Sequence, residues 1–135
     1  TRINPDIINT LTEQGFIPII APVGSGDAGE TYNINADLVA SRVAMALSAN
    51  KLIFLTDVDG VLDSSGTLIG TIQTENIPRL ITDKTISGGM IPKIECASEA
   101  LKAGLEKVHI INGKLRHALL LELFTDKGIG TEVLA

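Results

Sequence analysis

"KLIFLTDV" (Lys51–Val58) is a run of aliphatic and aromatic side chains that closes on polar ones. It lacks the alternation of a strand with one wet face, so it reads as a central parallel strand covered on both faces. "KVHIING" (Lys107–Gly113) has the same character. "FIPIIAPV" (Phe16–Val23) is a third apolar run, in which Pro18 argues for an end or edge position. "GTEVL" (Gly130–Leu134) is short enough for a final strand. "GVLDSSGTLIGTI" (Gly60–Ile72) sets Asp63-Ser64-Ser65-Gly66 between two apolar pieces and reads as a β-hairpin.

Helical patterns separate these strands. Asn4-Pro5 looks like an N-cap with proline at the first helical position; Ile7, Ile8 and Leu11 make an apolar face and Gly15 stops it. Ala36, Val39, Ala40, Val43 and Leu47 follow helical spacing over Ala36–Ser48, with apolar residues on almost every face, so that helix is expected to be well buried. Asn35 is its natural N-cap and Asp37 a favoured carboxylate in the first turn. Ile77–Asp83 reads as a short helix, Met90–Ala103 as a long one stopped by Gly104, and His117–Phe124 as a last one. The expected class is α/β, a mainly parallel sheet sandwiched by helices with a β-hairpin.

The bulk numbers agree with one domain. The chain has 135 residues, 44% hydrophobic and only 3% aromatic, so aliphatics and alanine must fill the core. The net charge is −5 and no basic cluster occurs, which argues against a nucleic-acid surface. A small phosphate ligand stays open, since it needs only local amides and one or two lysines. No run of about 18 apolar residues occurs, so no membrane span is expected. Cys96 is the only cysteine, expected as a small buried side chain; no internal disulfide can form, which fits a cytoplasmic location. The chain opens on Thr1 and runs almost directly into a helix signal, so it reads as a piece of a longer protein or a processed one.

In open α/β sheets ligands bind beyond the carboxyl ends of strands. The Lys51–Val58 strand ends in "TDVDG" (Thr56–Gly60), which is either a plain turn or a ligand loop. Asp57 and Asp59 can serve magnesium or bond loop amides. The other strand end of this kind is Asn112-Gly113. In "TISGGMIPKIECASEALKAG" (Thr85–Gly104), Gly88-Gly89 opens a helix whose free N–H groups attract anions. Lys93 stands in its first turn, where the dipole disfavours a cation. A phosphate met by Lys93 explains that placement; a lysine pointing into water is the plainer alternative. No Walker A loop occurs. Asn33 is left without a capping role. His109 sits in an apolar strand, where a hydrogen-bonded structural histidine is the ordinary case. His117 is expected to be exposed. No Ser/His/Asp set and no metal-type Cys/His spacing occurs.

"GFIPIIAPVG", "YNINAD", "LIFLTDVDGVLD", "ISGGMIPKIECASEAL" and "HALLLELFTDKGIGT", in that order over nearly the whole chain, resemble the amino-acid kinase family. Within it they are similar to the C-terminal, nucleotide-binding part of the acetylglutamate kinases. "TDVDGV" is shared with uridylate kinases, glutamate 5-kinases and aspartokinases; "YNINAD" with the C-terminal stretch is more specific. The resemblance implies the C-terminal half of a carbamate kinase-like fold, residues 1–135 forming the ATP-binding lobe without the N-terminal substrate lobe. It implies phosphorylation of the side-chain carboxylate of N-acetyl-L-glutamate by ATP with Mg2+, in arginine synthesis.

By the same resemblance, Asn33 matches an asparagine that holds acetylglutamate, Asp37 an aspartate that orients two catalytic lysines, and Lys93 one of those lysines. Asp57, Val58, Asp59, Gly60, Val61 and Leu62, with Thr85, Ile86 and Ser87, match segments that line the ATP site; Gly88 and Gly89 would add amides to it. His109, Glu122 and Gly128 match the arginine feedback site of an arginine-inhibited subgroup; the plain alternative for Glu122 is an ordinary surface helix residue. The implied whole enzyme is a homo-oligomer, and a nitrogen-regulatory signal protein docks on some members. The missing lobe would carry a second lysine, a glycine pair for the γ-phosphate and an arginine for the substrate, so the chain alone is expected to be inactive. Another kinase of the family, such as glutamate 5-kinase or uridylate kinase, and a non-catalytic α/β module that binds a small molecule or a partner, are the alternatives.

Overall fold

The computed structural model of the chain describes residues 3–125 and 128–135. Its centre is β5 (Lys107–Asn112), in which four consecutive residues, Val108 to Ile111, are buried. β5 pairs in parallel with β3 (Lys51–Thr56) and antiparallel with β6 (Thr131–Leu134), and β6 pairs in parallel with β4 (Thr71–Gln73). The sheet order is β3-β5-β6-β4. Side chains of one strand alternate between faces. Val108 and Ile110 therefore face one side, with α4 (Met90–Lys102) and α2 (Ala36–Ala46), while His109 and Ile111 face the other, with α5 (Ala118–Phe124). Helices thus cover both faces of a mixed, mostly parallel sheet, as expected.

The core lies under α4. Ile94, Ala97, Ala100 and Leu101 recur at helical spacing and are buried against Val108, Ile110 and Val133. α4 stops where expected. Gly104, at φ +106, donates to the Leu101 carbonyl and Leu105 to that of Ala100, the paired bonds of a Schellman ending. α1 (Asp6–Glu13) ends on Gly15 in the same way. Its start differs by one position: Pro5 is the cap residue, and the Asn4 side chain accepts from the Asp6 N–H at 3.1 Å. α3 (Ile77–Thr82) follows a 3₁₀ turn over Thr74–Asn76. The expected hairpin is present: Leu62 bridges Leu68 antiparallel, and Asp63 Oδ1 accepts from the N–H groups of Ser65 and Thr67.

Four expectations need correction. The Lys51–Val58 run forms β3, yet β3 is an edge strand among the described residues, with β5 as its one partner. Leu52 and Phe54 are buried, but Leu55 on the other face is exposed. The Phe16–Val23 run is extended but unpaired until Val23, where β1 (Val23–Ser25) meets β2 (Thr31–Asn33) antiparallel. Ile17 and Ile19 are 90% and 96% exposed, because no ladder partner lies beside them among the described residues. α2 is half-buried rather than well buried: only Ser41 and Ala44 are enclosed. Its Val39, Ala40 and Val43 border an open apolar groove with Pro18, Ile20 and Leu52. Cys96 is also only half-buried, and that burial pushes its thiol above the ordinary value. Among the described residues no helix is long and apolar enough to cross a membrane.

Candidate functional site

The opening of α2 is built by its cap. Asn35 has extended dihedrals and its side chain accepts from the Leu38 N–H at 3.0 Å. This fixes the first turn and with it Asp37. α4 packs across α2, and Lys93 stands one turn inside α4, beyond the Gly89 cap. Lys93 Nζ donates to Asp37 Oδ2 at 2.7 Å, and the two side chains are 18% and 20% exposed. Phe54 of β3 places its ring centroid 5.9 Å from Nζ, within cation–π reach. Farther along the same helices Arg42 and Glu99 pair at 3.1 Å in the open.

Asp37 therefore offsets the cost of a lysine near a helix N-terminus. A phosphate is not needed to explain why Lys93 is tolerated there. The pair nevertheless stops short of full burial, so part of each side chain still meets solvent. Ser87, Gly88 and Gly89 precede Lys93 and are exposed. Among the described residues nothing lies within 4 Å of where a Cβ would stand on either glycine, beyond its chain neighbours.

The loop after β3 is held at both ends and in the middle. Gly113 donates its N–H to the Thr56 carbonyl at 2.8 Å at the entry. Asn112 Nδ2 donates to Asp59 Oδ1 at 2.7 Å. Val61 N–H donates to the Thr131 hydroxyl at 2.9 Å at the exit. Asp57 is open, with Lys114 Nζ at 3.9 Å. Val61 and Ile86 are buried in the common core, so only their backbones can face a ligand. Thr85 donates its N–H to Asp83 at 3.0 Å; hydrogen bonds from Thr85, and the charge of Arg79 nearby, hold the Asp83 carboxyl below its usual range. Asn33 is exposed at the end of β2, four residues before Asp37. Among the described residues no three His, Cys, Asp or Glu side chains converge as a metal cluster.

A second polar site lies on the opposite face of the sheet. His109 Nδ1 and Glu122 Oε1 are directly paired, both buried. Glu122 Oε2 accepts from the Ile129 N–H at 2.7 Å. Gly128, at φ +59, backs onto this carboxylate: a Cβ there would stand 2.9 Å from Oε2. The three residues border one cavity of about 350 Å³, together with Lys51, Lys107 and Glu132. Lys107 Nζ binds Glu132 Oε1 at 3.0 Å. Among the described residues, His109 Nε2 is buried without a hydrogen-bond partner, 3.7 Å from the same oxygen. Glu122 is thus no ordinary surface residue. Asn112 stands at the second strand end expected to face a ligand, whereas Lys51, Lys107, Glu132 and Thr131 carry no such signal from a strand end. The signal for Lys51, Lys107 and Glu132 was a charge within or at the start of an otherwise apolar strand.

These features define a class: an anchored loop at a strand's carboxyl end, and a glycine-opened helix whose lysine pairs with an aspartate. A model of the amino acid kinase family matches residues 1–112, and the chain belongs to that family. More particularly, it is 58% identical over 132 residues to an acetylglutamate kinase from Trichlorobacter lovleyi, covering 98% of this chain and 45% of that protein. The chain thus spans about half the length of the curated relatives it matches. The N-acetylglutamate synthase from Neisseria gonorrhoeae, solved with coenzyme A and L-arginine, superposes with a TM-score of 0.89 at 32% identity, over 97% of this chain and 30% of that one. Carbamate kinase from Giardia lamblia shares the fold at a TM-score of 0.70 and 22% identity, over 96% and 43% of the two chains.

Proposed function

We propose that residues 1–135 form the ATP-binding lobe of an acetylglutamate kinase, which phosphorylates the side-chain carboxylate of N-acetyl-L-glutamate. The pairing of Lys93 with Asp37 carries this reading. A carboxylate oxygen attacks the γ-phosphorus; the bond from phosphorus to the β–γ bridging oxygen breaks; ADP leaves with that electron pair, and an acyl phosphate forms. Such a step asks the protein for positioning and positive charge rather than covalent chemistry. Lys93, held by Asp37, supplies charge near the bridging oxygen, and the Gly88 and Gly89 amides add donors. Asp37 does not react. The segments Asp57–Leu62 and Thr85–Ser87 hold the nucleotide, Asn33 holds acetylglutamate, and Mg2+ arrives with ATP. The substrate lobe lies outside these residues, so the chain alone transfers no phosphate at a useful rate. The same reading includes a cytoplasmic homo-oligomer, with a nitrogen-regulatory protein as a further partner.

The cavity at His109, Glu122 and Gly128 supports a second reading, a feedback site for arginine. Glu122 and Glu132 suit a guanidinium and an ammonium; Lys51 and Lys107 suit a carboxylate. A synthase that superposes over 97% of this chain was solved with L-arginine, which supports the same ligand chemistry here.

The experiment is an assay of the full-length enzyme with acetylglutamate, glutamate and UMP as acceptors. ADP release with acetylglutamate alone is the expected result. Release with glutamate or UMP instead assigns a different kinase of the family. Nucleotide affinity and full-length activity left unchanged by Lys93→Ala favour a non-catalytic module.

A further inference from the structure

The loop exit contains an unusual link. Val61 and Ile69 face each other across the hairpin, and Ile69 donates its N–H directly to the Val61 carbonyl at 2.8 Å. The reciprocal bond is not direct. Val61 N–H donates to Thr131 Oγ1 at 2.9 Å, and that hydroxyl donates to the Ile69 carbonyl at 2.8 Å. A side chain from β6 is therefore inserted into one rung of the hairpin ladder. Thr131 is fully buried, so water cannot take its place at low cost. Gly60 adopts φ +141 just before the rung, and a Cβ there would stand 2.6 Å from Thr131 Oγ1. Only glycine lets the loop pass so close to the hydroxyl.

We propose that Thr131 is a positioning residue for the nucleotide: its hydroxyl sets the exit of the Asp57–Gly60 loop and so the place of the loop amides. This rests on the ATP-site reading of Asp57–Leu62. Thr131 touches no nucleotide itself. A hydroxyl is needed because the position must accept one hydrogen bond and donate another, which valine of the same shape does neither of.

The test is calorimetric titration of the chain with MgADP, for the unaltered sequence, Thr131→Val and Thr131→Ser. Thermal unfolding and amide exchange at residues 57–62 are measured on each. Thr131→Val is expected to raise the dissociation constant about tenfold, the equivalent of one buried hydrogen bond, and to speed exchange at Val61. Thr131→Ser keeps the hydroxyl and is expected to bind within about twofold of the unaltered chain. Should Thr131→Val not fold, Thr131→Cys, similar in size but a weak donor and acceptor, is expected to bind more weakly than Thr131→Ser. A valine or cysteine variant that is less stable yet binds MgADP as tightly as the unaltered chain overturns the inference and leaves the ATP-site reading intact. An unaltered chain that binds no MgADP overturns both.

Discussion

Lys93 and Asp37, fifty-six residues apart in sequence, meet at 2.7 Å between two helices that the Asn35 and Gly89 caps start. A charge pair about four-fifths buried is costly to split, because the survivor keeps its desolvation penalty without its partner.

Asp37→Asn tests that account. Lys93 loses its charged anchor but keeps a hydrogen-bond acceptor. The chain is expected to lose about 1–3 kcal/mol of stability, read by urea unfolding. In the full-length enzyme kcat is expected to fall by about 10²-fold, with KM for ATP changed much less, because a misplaced lysine harms the transition state more than the ground state.

Glu122→Gln addresses the cavity on the other face. With arginine at about ten times its dissociation constant, the unaltered chain should gain about 1.4 kcal/mol of stability, which is several degrees in melting temperature for a domain of this size. The glutamine variant, which cannot pair with a guanidinium by charge, should show no such gain. Gly128→Ala should act alike, since its Cβ would press on Glu122 Oε2 at 2.9 Å.

The hairpin turn should loosen in acid. Asp63 Oδ1 accepts from the Ser65 hydroxyl and from the Ser65 and Thr67 amides, and these bonds, the Ser65 side chain's first, hold the carboxyl below the ordinary value of 3.8. A carboxyl with a lowered folded value contributes its full stabilisation above the ordinary value and loses it as pH falls through the folded one. Carbon-detected titration of Asp63 should therefore give a midpoint below that of Asp63 in the unfolded chain. Amide exchange at Ser65 and Thr67 should rise only under strongly acidic conditions.

Ile110→Ala removes a fully buried side chain from β5, against α4. A loss of about 2–5 kcal/mol is expected in chemical unfolding. Ile17→Ala, at a position 90% exposed, should stay within about 0.5 kcal/mol of the unaltered chain.

How much of this was legible in the sequence depends on what determined each feature. Local signals were read correctly: the Asn35 cap, the Gly15 and Gly104 stops, the turn at Asp63–Gly66 and the helical spacing of α4 all act within a few residues. The buried run of β5 was legible for the same reason. Neighbours determined the rest. Nothing in "FIPIIAPV" or "KLIFLTDV" tells whether a second strand lies alongside, and burial on both faces depends on that. Helix position drew attention to Asp37 and Lys93 and the resemblance gave them roles, but their contact rests on the α2–α4 crossing. Thr131 was invisible because a threonine in a β-strand looks like ordinary strand chemistry. Its hydroxyl matters only because the hairpin, about seventy residues earlier, leaves one rung open to it.

The most direct measurement is isothermal titration of the 135-residue chain with MgADP, repeated on Lys93→Ala. The account predicts measurable binding by the unaltered chain and a clear loss of affinity in the variant, with the variant still folded by circular dichroism. Equal affinity in the two chains, or no binding by the unaltered one, would contradict a nucleotide site built around Lys93.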